Sequence, residues 1–169
     1  METAMFELKP LSQAAVPAAL AKAEKYRLLN EPEQCQSICE DILRADPDNH
    51  AAQVMLILAI TDSFPHTAMA AGRATELVSG LSSAYDRCYY GGLVSERRGR
   101  ALLSHGGMGR RGAREWLHQA MTEYERADAL SPADNNDARL RWNACARVFK
   151  AHPDLLREDD ERHAPIMLE

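Results

Sequence analysis

The stretch GAREWLHQAMTEYERADALSP, residues 112–132, carries the clearest structural signal in this chain. Small and aromatic residues recur in it at steps of three and four, namely Ala113, Trp116, Ala120, Tyr124 and Ala127. Residues at that spacing lie on one face of an α-helix, so the pattern predicts a helix with a buried stripe. Ser131-Pro132 ends it, because a residue before proline is disfavoured in helical geometry.

Similar spacings recur along most of the chain and predict seven helices. They cover residues 14–29, 32–46, 51–62, 66–81, 85–104, 113–130 and 137–150. The last helix holds the apolar residues Leu140, Trp142, Ala144 and Val148, among others. No segment alternates apolar and polar residues as a half-buried strand does. The sequence therefore predicts an all-α fold built from helical hairpins.

Turn residues separate the first three helices. Asn30 tolerates the left-handed backbone conformation that ends helices, and Pro32 suits the first turn of a new helix. Asp48 or Asn49 can cap the third helix with a side-chain oxygen. These residues predict tight connections between neighbouring helices.

Length and composition limit the classes of protein to consider. The chain has 169 residues, of which 46% are hydrophobic and 27% charged, which matches one soluble globular domain. Its longest apolar run, VMLILAI at 54–60, is far shorter than the roughly 20 residues that span a bilayer. The first residues lack a basic start followed by an apolar stretch, so we expect a cytoplasmic protein that is neither exported nor inserted into a membrane. The four cysteines are then expected to be reduced and buried.

Two segments align as second helices of a repeated hairpin. CQSICEDILRADP, residues 35–47, aligns with AMTEYERADALSP, residues 120–132. The second segment resembles the second helix of a tetratricopeptide repeat. It has a small residue, then an aromatic residue, an alanine and a proline, at the spacing of that repeat. These residues are Ala120, Tyr124, Ala127 and Pro132, and their counterparts in the first segment are Cys35, Cys39, Ile42 and Pro47.

The resemblance implies a right-handed superhelix of antiparallel helix pairs over residues 14–150. Residues 1–13 then form an N-terminal extension, and residues 151–169 form an acidic C-terminal tail. A repeat of about 34 residues would separate Pro47 from Pro132 by about 68 positions, but they are 85 apart. Because residues 113–132 match the pattern, the surplus is expected at the end of the second repeat or in the first helix and turn of the third.

The segment SERRGRALLSHGGMGRRGAREW, residues 95–116, concentrates six arginines in a chain of net charge −5. Gly106, Gly107 and Gly109 allow a positive φ, and Gly112 is placed where the turn ends, so the glycines predict a loose hairpin turn. The alternative is a phosphate-binding loop, but the segment lacks the GxxxxGK[ST] spacing and does not follow a strand.

The arginines leave two interpretations open. They form either a solvated face balanced by Glu96 and Glu115 or a site where guanidinium groups bind carboxylate or phosphate. The resemblance implies binding, because tetratricopeptide domains commonly hold a peptide in the groove lined by their first helices. We therefore predict a non-enzymatic interaction module or scaffold, without a cofactor, for an acidic peptide, an acidic protein surface or a second copy of the chain. The predicted partner-binding residues are Tyr89, Leu93, Arg97, Arg100, Arg110, Arg111, Arg114, Asn143 and Arg147.

The same residues bear on other function classes. Nucleic acid or another polyanion is the alternative ligand, but the acidic net charge and the lack of lysines around residues 97–114 favour a protein. Cys35 and Cys39 are one helical turn apart but lack the further ligands of a metal site. No HExxH or nucleophile-elbow motif indicates catalysis. A further hypothesis is that the acidic residues 158–161 fold back onto the arginines and compete for the groove.

Overall fold

The computed structural model describes residues 6–64, 70–104 and 109–156 of the chain. Within these ranges every regular element is helical and no residue lies in a strand, which confirms the predicted all-α fold. The chain divides into two compact units, residues 1–82 (unit 1) and residues 83–169 (unit 2). The sequence had predicted a single repeat domain over residues 14–150.

The described residues of unit 1 form four α-helices, which pack in chain order. They are α1 (Val16–Leu28), α2 (Pro32–Ala45), α3 (His50–Asp62) and α4 (Ala70–Ser79). Each contacts the next, and α1 also contacts α3. The fourth helix ends at Ser79, two residues before the predicted end at residue 81, and residues 66–69 of the predicted range lie outside the described residues.

The turns of unit 1 follow the predicted chemistry. Asn30 adopts a φ of 60°, the left-handed conformation expected of it, and Pro32 opens α2. The Asn49 side chain accepts a hydrogen bond of 3.0 Å from the backbone N–H of Ala52 and so caps α3. These two features confirm the predicted turns before and after α2. The left-handed Asn30 follows the end of α1, and the Asn49 side chain satisfies a backbone N–H at the start of α3.

The core of unit 1 lies around α3, which is apolar on most of its surface. Its residues Ala52, Leu56, Ile57, Ala59 and Ile60 are buried, as are Ala23 of α1 and Cys35, Cys39 and Ile42 of α2. The Nε atom of Arg27 lies 2.7 Å from Oδ2 of Asp62 and ties the end of α1 to the end of α3.

Unit 2 contains two long helices followed by a shorter one. α5 (Ala84–Ser104) and α6 (Arg110–Leu130) have 21 residues each, and α7 (Asp137–Ala151) is followed by a 3-10 turn at Pro153–Leu156. α6 begins at Arg110, three residues before the predicted start at residue 113. Gly112 therefore lies inside α6 rather than at the end of the turn, whereas Gly109 lies in the connection directly before α6 but has a φ of −80° and does not use the positive φ expected of it. Gly106 and Gly107 lie outside the described residues.

The stripe predicted on α6 forms the centre of unit 2. Ala113, Ala120, Tyr124 and Ala127 are fully buried, whereas Leu117 rather than Trp116 fills the remaining position. α7 contributes Ala138, Cys145, Val148 and Phe149 to this core. Leu140, one of the apolar residues named in the last predicted helix, is 63% exposed.

The residues directly after α7 belong to the same core. Leu155 is 3% exposed and packs in the cluster around Tyr124, and Asp154 forms an ion pair with Arg110 at the start of α6. The predicted tail boundary at residue 151 therefore cuts through the packing of unit 2. Residues 157–169, which include the acidic run, lie outside the described residues.

Two glycines of α5 allow that helix to approach α6 closely. A Cβ atom on Gly92 would lie 2.7 Å from Cε1 of Tyr124, and one on Gly99 would lie 2.9 Å from Cγ of Leu117. Neither distance leaves room for a methyl group without movement of a fully buried neighbour. Glycine is therefore required at both positions despite its low helix propensity.

We predict that Gly92→Ala destabilises unit 2 by about 1–2 kcal/mol, because overpacking against Tyr124 exceeds the gain in helix propensity. Gly72→Ala in α4 is the matched control, since a Cβ atom on Gly72 would have no described neighbour within 4 Å. This control should raise the free energy of unfolding by up to about 1 kcal/mol. Urea denaturation followed by circular dichroism measures both, and a stabilising Gly92→Ala would contradict the close packing.

Candidate functional site

A groove in unit 2 runs between the second halves of α5 and α7. Its volume is about 500 Å³, within the range of ligand-binding cavities. Arg100, Arg147 and His152 supply its basic groups, and apolar atoms come from the other residues that line it, Leu103, Ala144, Val148 and Ala151. None of the described residues that line this groove is acidic. The groove therefore combines an apolar floor with an excess of positive charge.

The relative direction of α5 and α7 explains why their second halves meet. Near the start of α5, the Tyr85 hydroxyl hydrogen-bonds with the side chains of Ser131 and Asn135, just before α7. The groove residues Arg100 and Arg147 lie towards the other ends of the two helices. α5 and α7 consequently run in the same direction along unit 2, with α6 as the connecting helix.

A buried carboxylate lies one turn before Arg100. Glu96 is 2% exposed, so it does not belong to the solvated face that was one of the two interpretations of this segment. Its Oε1 accepts a hydrogen bond of 2.9 Å from Nε of Arg100, and its Oε2 accepts one of 2.8 Å from the Tyr124 hydroxyl. Nη1 of Arg141 lies 3.6 Å from the same Oε2. Side chains from α5, α6 and α7 therefore compensate one buried negative charge, as such a charge requires.

The network changes the acidity of its members. Burial raises the pKa of Tyr124 far above the ordinary value, and the adjacent Glu96 charge raises it further, so this hydroxyl keeps its proton and donates it. Burial is the largest single effect on Arg141 and opposes its charge, but the Glu96 carboxylate, Tyr89 and Tyr124 together outweigh it, so the pKa of Arg141 is raised. Arg141 also hydrogen-bonds with the side chain of Tyr89.

The structure brings together two of the nine predicted binding residues, because Arg100 and Arg147 both line the groove. Asn143 is half-buried on α7, but it does not line the groove. Tyr89 is half-buried in an aromatic cluster, with its ring centroid 5.7 Å from that of Tyr85 and 5.9 Å from that of Tyr124. Leu93 is only 2% exposed, so it packs in the core and cannot present a binding surface as predicted.

The other predicted arginines lie outside the groove lining. Arg110 forms its ion pair with Asp154, and Nε of Arg111 lies 3.4 Å from Oε1 of Glu115. Arg97 and Arg114 are half-buried on α5 and α6. The guanidinium of Arg98 stacks on the ring of Trp116, at 4.0 Å from the ring centroid. The arginine-rich segment therefore divides into several local contacts rather than one continuous surface.

Sequence reasoning missed Glu96, Tyr124, Arg141 and His152 as polar members of this region. Only one of their contacts has a local signal, the spacing of four between Glu96 and Arg100, which is typical of a helical ion pair. The other contacts join residues far apart in the chain. The repeat pattern includes Tyr124, but it carries no information about the hydroxyl of that residue.

The cysteine pair of unit 1 occupies core positions. Cys35 and Cys39 are both fully buried, and burial raises the pKa of the Cys39 thiol to about 12. In the described parts of the chain, no group of three or more histidine, cysteine or acidic side chains is placed to hold a metal ion.

Comparison of this chain with protein-family models, with curated proteins and with solved structures gives no match. The similarity to tetratricopeptide repeats therefore stays a prediction from the residues quoted above. Within the described ranges, no helix combines the length and the apolar character needed to cross a bilayer.

We predict that the protein loses stability as the pH rises above about 9. Burial raises the pKa of Cys39, Cys145 and Tyr90 to about 12 each, from ordinary values of 9 for the thiols and 10 for the phenol. Between the two values the unfolded chain releases these protons while the folded chain retains them, so the free energy of unfolding falls with increasing pH.

Urea denaturation at a series of pH values between 7 and 11 measures this fall. Tyr90→Phe removes one of the three groups but keeps its ring, so the variant should show a shallower decrease above pH 10. A free energy of unfolding that stays constant from pH 9 to pH 11 would contradict the prediction.

Proposed function

We propose that unit 2 is a non-enzymatic binding module that holds an acidic segment of a partner protein in the groove between α5 and α7. The observation that carries the proposal is the lining of this groove, which combines Arg100 and Arg147 with apolar side chains. Guanidinium groups bind carboxylates through charge-assisted hydrogen bonds, and the apolar floor accommodates neighbouring aliphatic side chains. The ligand that fits is a peptide in which acidic and apolar residues adjoin.

We further infer that the hairpins are divergent tetratricopeptide-like repeats. The buried positions of Ala120, Tyr124 and Ala127 support this inference, as does the close approach of Gly92 to Tyr124. α5 and α7 would then be first helices of successive repeats. In that family the first helices line the peptide-binding groove, which agrees with the position of the groove here.

The local ion pairs favour a protein ligand over nucleic acid. Arg110 and Arg111 already contact Asp154 and Glu115, so they offer fewer positive charges to a phosphate backbone. Binding to nucleic acid depends on releasing counterions, and its affinity falls steeply with salt. A groove with an apolar floor is less sensitive to salt.

The test uses an acidic probe, a fluorescein-labelled peptide with the sequence REDDERHAPIMLE of residues 157–169. We expect Arg100→Ala and Arg147→Ala each to weaken its binding about fivefold, since both side chains are partly exposed and such contacts contribute about 1 kcal/mol. Arg126→Ala is the matched control, because Arg126 pairs with Glu123 and does not line the groove. Fluorescence anisotropy measures the dissociation constants.

Two comparisons separate the alternatives in this test. A control peptide in which glutamines and asparagines replace the four acidic residues 158–161 should bind at least fivefold more weakly. A labelled single-stranded oligonucleotide that binds more tightly than the acidic probe, with a steep salt dependence, would assign the arginines to nucleic acid. If Arg126→Ala weakened binding as much as Arg100→Ala does, the groove would not be the binding site.

The acidic residues 158–161 also generate a prediction about competition within the chain. Residues 157–169 begin five residues after His152 of the groove, and a short tether gives a segment an effective concentration near the millimolar range. Deleting residues 157–169 should therefore increase the affinity for the acidic probe. The deletion starts at residue 157 because Leu155 is part of the core of unit 2. Unchanged affinity in the truncated chain would exclude the competition.

A further inference from the structure

The two oxygens of Glu96 have different partners. Oε1 accepts from Nε of Arg100 at 2.9 Å, and Oε2 accepts from the Tyr124 hydroxyl at 2.8 Å. Glu96 and Tyr124 are almost completely buried, whereas the Arg100 side chain is 45% exposed and lines the groove. The buried pair therefore contacts the groove through Arg100.

The shape of a guanidinium group determines which of the Arg100 donors stay available to a ligand. Its five N–H donors form two edges that match a carboxylate, a side edge that includes Nε and an end edge made of the two terminal nitrogens. A carboxylate with both oxygens available commonly makes two parallel hydrogen bonds to one edge. Here the Tyr124 hydroxyl holds the second oxygen, and the hydrogen bond between Glu96 and Arg100 uses Nε alone.

We propose that Tyr124 is a positioning residue for Arg100. By binding Oε2 of Glu96, its hydroxyl orients the carboxylate so that Arg100 contacts it through Nε alone, which leaves the end edge of Arg100 available to a ligand in the groove. The ligand that this edge recognises is a planar two-oxygen anion, the side-chain carboxylate of an aspartate or glutamate. This inference rests on the proposed function and names the chemical group of the ligand that the groove recognises.

Packing and charge both support this role. Gly92 lets the Tyr124 ring approach α5, so the hydroxyl reaches a carboxylate 28 positions earlier in the chain. Arg141 shares Oε2 at 3.6 Å, so two arginines face one negative charge. The cluster of Glu96, Arg100 and Arg141 keeps a net positive charge, and Arg147 adds another on the far side of the groove. The site therefore attracts an anion although a carboxylate lies beneath it.

A double-mutant cycle tests the inference because it isolates the coupling between two side chains. Tyr124→Phe changes neither the net charge nor the groove lining. If binding depended on charge alone, the affinity of this variant for the acidic probe would be unchanged. We expect Tyr124→Phe to weaken binding of the acidic probe about fivefold, as Arg100→Ala does. In the Arg100→Ala background, Tyr124→Phe should have no further effect, since its action passes through Arg100.

The matched control is Tyr85→Phe, which also removes a tyrosine hydroxyl with side-chain hydrogen-bond partners in unit 2, but these partners, Ser131 and Asn135, lie at the other end of α5. It should leave the affinity unchanged. Measurements use the full-length chain and, to exclude competition from residues 157–169, the chain that ends at Leu156. Thermal unfolding of each variant confirms that it is folded at the temperature of the binding experiment.

Arg100→Lys keeps the positive charge that compensates Glu96 but has no fork of donors. It should bind the acidic probe as weakly as Arg100→Ala. Arginine side-chain ¹⁵N NMR gives a readout without ligand, because a two-point pair with Glu96 in Tyr124→Phe should slow rotation of the Arg100 guanidinium.

The outcomes separate this inference from the proposed function. If Arg100→Ala and Arg147→Ala weaken binding but Tyr124→Phe does not, or if its effect adds fully to that of Arg100→Ala, the positioning role is overturned and the groove stands. Wild-type affinity in Arg100→Lys overturns it as well. If no groove variant changes the affinity, the proposed function fails, and the role of Tyr124 in ligand binding fails with it. The NMR measurement tests the positioning of Arg100 without ligand, so unchanged guanidinium rotation in Tyr124→Phe overturns that positioning independently.

Discussion

The contact between Gly92 and the ring of Tyr124 fixes how closely α5 and α6 approach each other. A side chain of any other size at residue 92 would displace the ring, and the ring carries the hydroxyl that reaches Glu96. Glu96 in turn holds Nε of Arg100, which lines the groove with Arg147. A steric requirement in the core is thus connected to the electrostatics of the surface through three consecutive contacts.

A buried carboxylate is costly unless its charge is compensated. In unit 2 the compensation comes from three helices, so Glu96 also acts as a polar junction at which α5, α6 and α7 must be correctly aligned. Hydrogen bonds of 2.8 and 2.9 Å depend on both distance and direction, so they add to the packing a penalty for shifts between the helices. The network therefore contributes specificity to the packing in addition to shaping the groove.

The sequence could predict features that depend on local periodicity or on the chemistry of single turn residues. The buried stripe of α6, the left-handed Asn30 and the cap at Asn49 are of this kind. It could not predict the environment of Glu96, because in a run of charged residues a glutamate is normally solvated. Its partners Tyr124 and Arg141 are distant in the chain, and only the folded hairpin brings them together. Gly92 illustrates the same limit, since local propensity identifies it as a weak point of α5 although the packing requires it.

The distribution of the cysteines has a practical consequence. Cys35 and Cys39 lie in the core of unit 1, and Cys88 and Cys145 lie in the core of unit 2. A buried thiol reacts with an alkylating reagent only when the structure around it opens, so the rate of modification reports the free energy of that opening. Each unit thus contains two natural reporters, and peptide mapping after brief alkylation distinguishes local opening of one unit from cooperative unfolding of the whole chain.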